Sequence, residues 1–157
     1  MESGILIHQK KYAKEFLSKF CMENSKPVSS LFVVGEKFFK DDGTPQVNGS
    51  IYRSLIGSLL YLCSTKPDII FSVNYLLRFM QTPTEKHFQV AKRVLRYVKG
   101  TVNHGIHYGR VKSVKLIGFS DSDRAGNDEQ IKSILGNFFI VGTGVITWSS
   151  KKQGPVA

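Results

Sequence analysis

Residues 118 to 127 read GFSDSDRAGN, and Asp121 and Asp123 stand out there as carboxylates two positions apart, next to a short apolar run. Two chemistries suit them. Carboxylates at a strand end can hold a divalent cation, and carboxylates in a glycine-containing turn can accept backbone N–H bonds. The ten residues alone leave both readings open. A metal reading needs more than this stretch, because magnesium takes near-octahedral oxygen coordination and a two-metal phosphodiester centre draws carboxylates from several elements. The nearest further acids, Asp128 and Glu129, fall in the same local segment. His104 and His107 form an HxxH without other ligands clustered beside it, so zinc is not expected. Cys21 and Cys63 lie far apart without a CxxC partner and read as reduced core cysteines of an intracellular protein.

The second candidate chemistry is electrostatic. The 157 residues carry a formal net charge of +10, which favours an anionic partner. No acid occurs between Glu85 and Asp121, while eight Lys and Arg residues do. Lys92, Arg96 and Lys99 recur at i, i+4 and i+7, with Arg93 beside them, so they share one helix face. Like charges so placed repel by a few tenths of a kcal/mol each, roughly, and a phosphate backbone would neutralise them. Such contacts position a nucleic acid without reading its sequence.

The elements that must position these groups come in two textures. GILI at residues 4 to 7 reads as a strand, and Ala13, Phe16, Leu17 and Phe20 give a helical stripe between His8 and Met22. Lys10, Lys11, Lys14 and Lys19 fall mainly off that stripe. Residues 23 to 50 form a breaker-rich connector. Apolar helices are predicted over Ile51 to Ser64 and Asp68 to Met80, packed as a hairpin, with Pro67 in the first turn of the second. A further helix follows, with Thr82 and Glu85 spaced as a capping box, Pro83 at its first position and Gly100 at its end. Phe88, Ala91, Val94, Leu95 and Val98 make its buried stripe. GIHYG, KLIGFSD and NFFIVGTGVITWS then read as strands, with Gly142, Thr143 and Gly144 as a tight hairpin and Trp148 as a packing residue. Helices first and strands after predict an α+β fold, with domains at 1–110 and 111–157. The longest apolar run, residues 55 to 63, is too short for a membrane span of about 20 residues.

YRSLIGSLLYLCSTKPDIIFSVNYLLRFM, PTEKHFQVAKRVLRYVKGT, GFSDSDRAG and GVITWSSKKQ, with HQKKYAKEFLSKF and KPVS ahead of them, resemble consecutive blocks of the Pol polyprotein of copia-type LTR retrotransposons. The resemblance covers nearly the whole chain. It implies the connection or thumb-like helical end of a reverse transcriptase, followed by the start of a ribonuclease H sheet. The family's polymerase aspartates lie upstream, in a YVDD-type hairpin that has no counterpart here. Its first nuclease carboxylate, a ligand of catalytic Mg²⁺, matches Asp121. The other nuclease carboxylates lie in blocks beyond SSKKQ that the sequence does not contain. Arg124 stands where the family usually has tryptophan, and Asn127 where it has aspartate. A cation at Arg124 would oppose magnesium binding.

The resemblance and the charge together give one expectation: a Pol fragment, catalytically inactive alone, with no cofactor of its own and sequence-independent affinity for an RNA–DNA hybrid or duplex. Asp121 is then a vestigial metal corner, and Lys92, Arg93, Arg96 and Lys99 are the contact residues. Two alternatives compete with it: a Mg²⁺-dependent nuclease completed by another Pol fragment, and a structural or non-functional relic. Such a protein is expected inside the cell and away from membranes.

Overall fold

A computed structural model describes residues 4–32, 39, 42–123 and 134–152. It is an α+β structure, as the sequence predicts, with four α-helices and two small antiparallel sheets among the described residues. The chain divides into two compact units. One runs from His8 to Gly105, and the other combines the segment ending at Ile7 with the segment starting at Ile106.

The helical unit contains α1 (Lys10–Lys19), α2 (Gly49–Leu62), α3 (Ile70–Leu76) and α4 (Glu85–Gly100). Short 3₁₀ turns, Pro67–Ile69 and Leu77–Phe79, flank α3, so the third predicted helix is a brief α segment with tightened ends. Pro67 opens the first of these turns, where its missing N–H costs nothing. Asn48 caps α2 by accepting from the backbone N–H groups of Ser50 and Ile51 at 2.9 and 3.2 Å.

The end of α1 is a Schellman motif. The Cys21 N–H donates to the Ser18 carbonyl at 2.9 Å and the Met22 N–H to the Leu17 carbonyl at 2.8 Å. Cys21 takes the left-handed conformation this requires, with φ of 55°. It is exposed, contrary to the expectation of a core cysteine, because the residue after a helix end turns away from the apolar stripe. Cys63 is buried as expected, and burial pushes its thiol up to about 12.

The core of this unit joins Phe16 and Leu17 of α1, Tyr52, Leu55 and Leu59 of α2, Val73 and Leu76 of α3, and Val94, Leu95 and Val98 of α4. Tyr52 is the polar exception. Its buried hydroxyl donates to the Leu76 carbonyl at 2.9 Å, linking α2 to the end of α3. Ser72 Oγ is the one buried side-chain polar atom without a partner among the described residues.

In the strand unit, β1 (Gly4–Ile7) pairs antiparallel with β2 (Ile106–Gly109), Ile7 opposite Ile106. The second sheet runs β3-β4-β5: Leu116–Asp123, Ile134–Val141 and Gly144–Lys152. Gly142 and Thr143 form a two-residue hairpin loop, with positive φ only at Gly142, the pattern of a type II′ turn. Gly144 therefore belongs to the strand rather than the turn. A bulge interrupts the β4–β5 register between Phe139 and Ile140.

Alternation along β3 and β4 puts Ile117, Phe119, Phe138 and Ile140 on one face and Leu116 and Phe139 on the other. Phe119 and Phe138 stack across the strands with ring centroids 4.7 Å apart. Both faces nevertheless meet solvent: Phe119 is 47% exposed on one and Leu116 66% on the other. Among the described residues, Ile106 is this unit's single buried hydrophobic.

Candidate nucleic-acid interface

Helix α4 carries the predicted contact residues, and its start is built with care. The N-cap is Thr84, not Thr82, and the reciprocal partner is His87 rather than Glu85. The box is displaced by two residues because an imidazole can return to the cap N–H as a carboxylate would: the Thr84 N–H donates to His87 Nδ1 at 3.1 Å. With Nδ1 accepting, Nε2 carries the proton and donates to the Phe39 carbonyl at 2.9 Å. His87 is fully buried and stacks on Phe79 with centroids 3.8 Å apart.

Asp42 completes this cluster. Its Oδ2 accepts from the Thr84 hydroxyl at 2.7 Å and lies 3.8 Å from His87 Nε2, with the carboxylate only 4% exposed. Burial alone would raise its pKa, but hydrogen bonds from Thr44 and Thr84, aided by His87, outweigh burial and hold it at about 2. His87 is shifted below its ordinary value, chiefly by burial and against the pull of Asp42 and the Phe39 carbonyl. Asp42, Thr84 and His87 resemble a hydrolytic triad in composition only. The imidazole is sealed from solvent and both its nitrogens serve the backbone, so the group is a latch joining the connector to α4. Further latch bonds run from the Val47 N–H to the Pro83 carbonyl (2.9 Å) and from the Glu85 N–H to the Pro45 carbonyl (2.8 Å).

The buried stripe of α4 is His87, Val90, Ala91, Val94, Leu95 and Val98. Phe88 sits at its margin, half-buried, with the Lys92 ammonium 4.5 Å from its ring centroid. The other three predicted contact residues share one structural neighbour. Arg93 donates from Nε to the Ser30 carbonyl at 3.1 Å and from Nη2 to the Ser30 hydroxyl at 2.7 Å. Arg96 Nε donates to the Lys26 carbonyl at 2.6 Å, and Lys99 Nζ to the Ser25 carbonyl. The segment 25–30 thus lies along the basic face of α4. At the helix end, buried Lys66 donates to the carbonyl and hydroxyl of Thr101, both at 2.9 Å, placing a cation against the C-terminal carbonyls. Burial lowers the pKa of this ammonium, and Asp68 opposes that shift.

Asp121 and Asp123 both fall within β3 rather than in a turn, since the strand continues through the SDSD stretch in register with Ile134–Gly136. Asp121 is exposed and lies opposite Gly136. Arg124, Asn127, Asp128 and Glu129 lie outside the described residues. Among the described residues no three His, Cys, Asp or Glu side chains come together to hold a metal, His104 and His107 included. Asp121 by itself does not meet the coordination that magnesium requires. No helix among the described residues is long and apolar enough to cross a membrane.

The chain is 39% identical over 151 residues to a retrovirus-related Pol polyprotein from transposon RE1 of Arabidopsis thaliana. It is 37% identical over 150 residues to the corresponding polyprotein from transposon RE2 of the same plant. Each alignment takes in 96% of the chain. The chain belongs to the copia-type retrotransposon Pol family. This Pol segment spans about a tenth of the length of either polyprotein (10%). It is also 36% identical to an uncharacterized mitochondrial protein of Arabidopsis thaliana, over 99% of the segment and 64% of that protein. No family model and no solved structure matches it.

For the Pol segment, sequence reasoning located the basic face of α4 but missed two things that the fold adds to it. One is the Asp42–Thr84–His87 latch, whose signal was a histidine three residues after a threonine at a helix start. The other is the strap of residues 25–30. Its bonds use main-chain carbonyls, which leave no mark in residue types.

Proposed function

We propose that this segment acts within Pol as a positioning element for nucleic acid, contacting the phosphate backbone without regard to sequence, and that it has no catalytic activity alone. The observation that carries this reading is the distribution of charge. The helical unit holds fifteen Lys and Arg against seven Asp and Glu, eight of the ten net positive charges, and its α4 contains no acid after Glu85. Membership of the Pol family makes an RNA–DNA hybrid the natural partner.

The test is hybrid binding measured across a salt series. About four phosphate contacts give a slope of log K against log salt of roughly −3 to −4 on duplex DNA. A flat salt response rejects the cradle. Cleavage of the RNA strand with Mg²⁺, abolished by Asp121→Asn, would replace this reading with that of a nuclease.

A further inference from the structure

Arg93, Arg96 and Lys99 face one strand of main chain, and their partners are ordered. Lys99 meets Ser25, Arg96 meets Lys26 and Arg93 meets Ser30, so the strap runs antiparallel to α4. The three cations span about 9 Å of helix axis at 1.5 Å per residue. Four oxygens are presented to them in succession: two carbonyls and then the carbonyl–hydroxyl pair of Ser30. This is the arrangement a phosphate backbone offers, with one difference. The strap oxygens are neutral, and the strap has a cation of its own in its sequence, Lys26.

We infer that the segment 25–30 is an internal stand-in for a polyanion, occupying the α4 contact site until a nucleic-acid backbone displaces it. The inference rests on the reading given under "Proposed function" and adds a gate to it. Arg93 presents its whole Nε–Nη2 edge to Ser30, and that edge is one of the two a guanidinium uses to grip a phosphate. A phosphate oxygen brings a negative charge that a carbonyl lacks, so exchanging carbonyls for phosphates adds Coulomb attraction at the cations. The strap has no Asp or Glu between Ser25 and Ser30 with which to resist that exchange.

The strap can be locked in place. A Cβ built on Gly100 lies 3.3 Å from the Pro27 Cβ, close to the separation of about 3.5–4.5 Å that a disulfide spans. Pro27→Cys with Gly100→Cys, in a Cys21→Ser background so that the exposed native thiol cannot mispair, gives one protein in two states. Hybrid affinity is measured on the oxidised and the reduced forms. The expected result is at least a tenfold loss of affinity on oxidation, restored by dithiothreitol. Equal affinity in both forms overturns the gate and leaves the cradle standing. Absence of hybrid binding by either form and by the unsubstituted chain overturns both. Amide exchange of residues 25–30 in the unsubstituted chain supplies a second readout. Faster exchange on adding hybrid supports displacement, and unchanged or slower exchange overturns it.

Discussion

The imidazole of His87 lies flat on the ring of Phe79, centroids 3.8 Å apart and planes 15° from parallel, at the base of the latch that holds the connector to α4. Because burial depresses the pKa of His87, the unfolded chain binds more protons than the folded one once the pH falls below the ordinary value of 6.5. Stability therefore declines as pH drops through and below 6.5. Asp42 contributes stability that is fully present above 3.8 and is lost as the pH falls toward its folded value of about 2. Urea denaturation followed from pH 8 to 4 checks the first phase. His87→Gln should remove that phase and cost about 2–3 kcal/mol at neutral pH, because the Thr84 N–H and Phe39 carbonyl lose a buried partner.

Tyr52→Phe isolates one hydrogen bond. The substitution keeps the ring and leaves the Leu76 carbonyl without its donor inside the core. A loss of about 1–2 kcal/mol is expected, read as a lower denaturation midpoint with an unchanged m-value. An unchanged midpoint would show that water replaces the hydroxyl.

Cys21 offers a gain. A side chain at φ 55° is strained, and glycine is the usual occupant of this position in a Schellman motif. Cys21→Gly should raise stability by about 0.5–1 kcal/mol, whereas Cys21→Ala, which keeps the Cβ, should not. Thermal melts of the two variants side by side decide the matter.

Gly144 is a site of close approach. A Cβ there would enter the ring of Tyr108, whose hydroxyl donates to the Val145 carbonyl. Gly144→Ala should displace Tyr108 and lower the stability of the strand unit by about 1–3 kcal/mol. Loss of exchange protection at β5 amides, with the helical unit unaffected, is the expected signature.

The buried hydrophobic cluster lies entirely between Ala13 and Val98, while both faces of the β3–β5 sheet are exposed. Amides of β3 (Leu116–Asp123), β4 and β5 should therefore exchange faster than those of α2 and α4. Uniform protection would contradict this.

The sequence made the apolar stripes of α1 and α4 legible because their periodicity is set by side chains that must all reach one core. It also showed the Gly142 hairpin, since a positive φ selects glycine. What it hid were relationships between distant segments. Ile7 opposite Ile106 is a backbone pairing with no side-chain code, and the strap on α4 is held mainly through carbonyls. The capping box was misplaced because Thr82 and Glu85 match the usual residue types, whereas Thr84 and His87 win through burial against Phe79 and Asp42. At the candidate site, the four cations were visible in the sequence, but the engagement of three of them by residues 25–30 was not.

The antiparallel pairing of Ile7 with Ile106 has a further consequence for how this piece of Pol can be handled. Everything from His8 to Gly105 leaves and re-enters the chain at neighbouring rungs of one ladder, about 5 Å apart. Topologically it is an oversized hairpin loop. A host protein could accept it in place of an ordinary β-turn, and joining its own ends with a short peptide should yield a circular cassette that keeps the helical core.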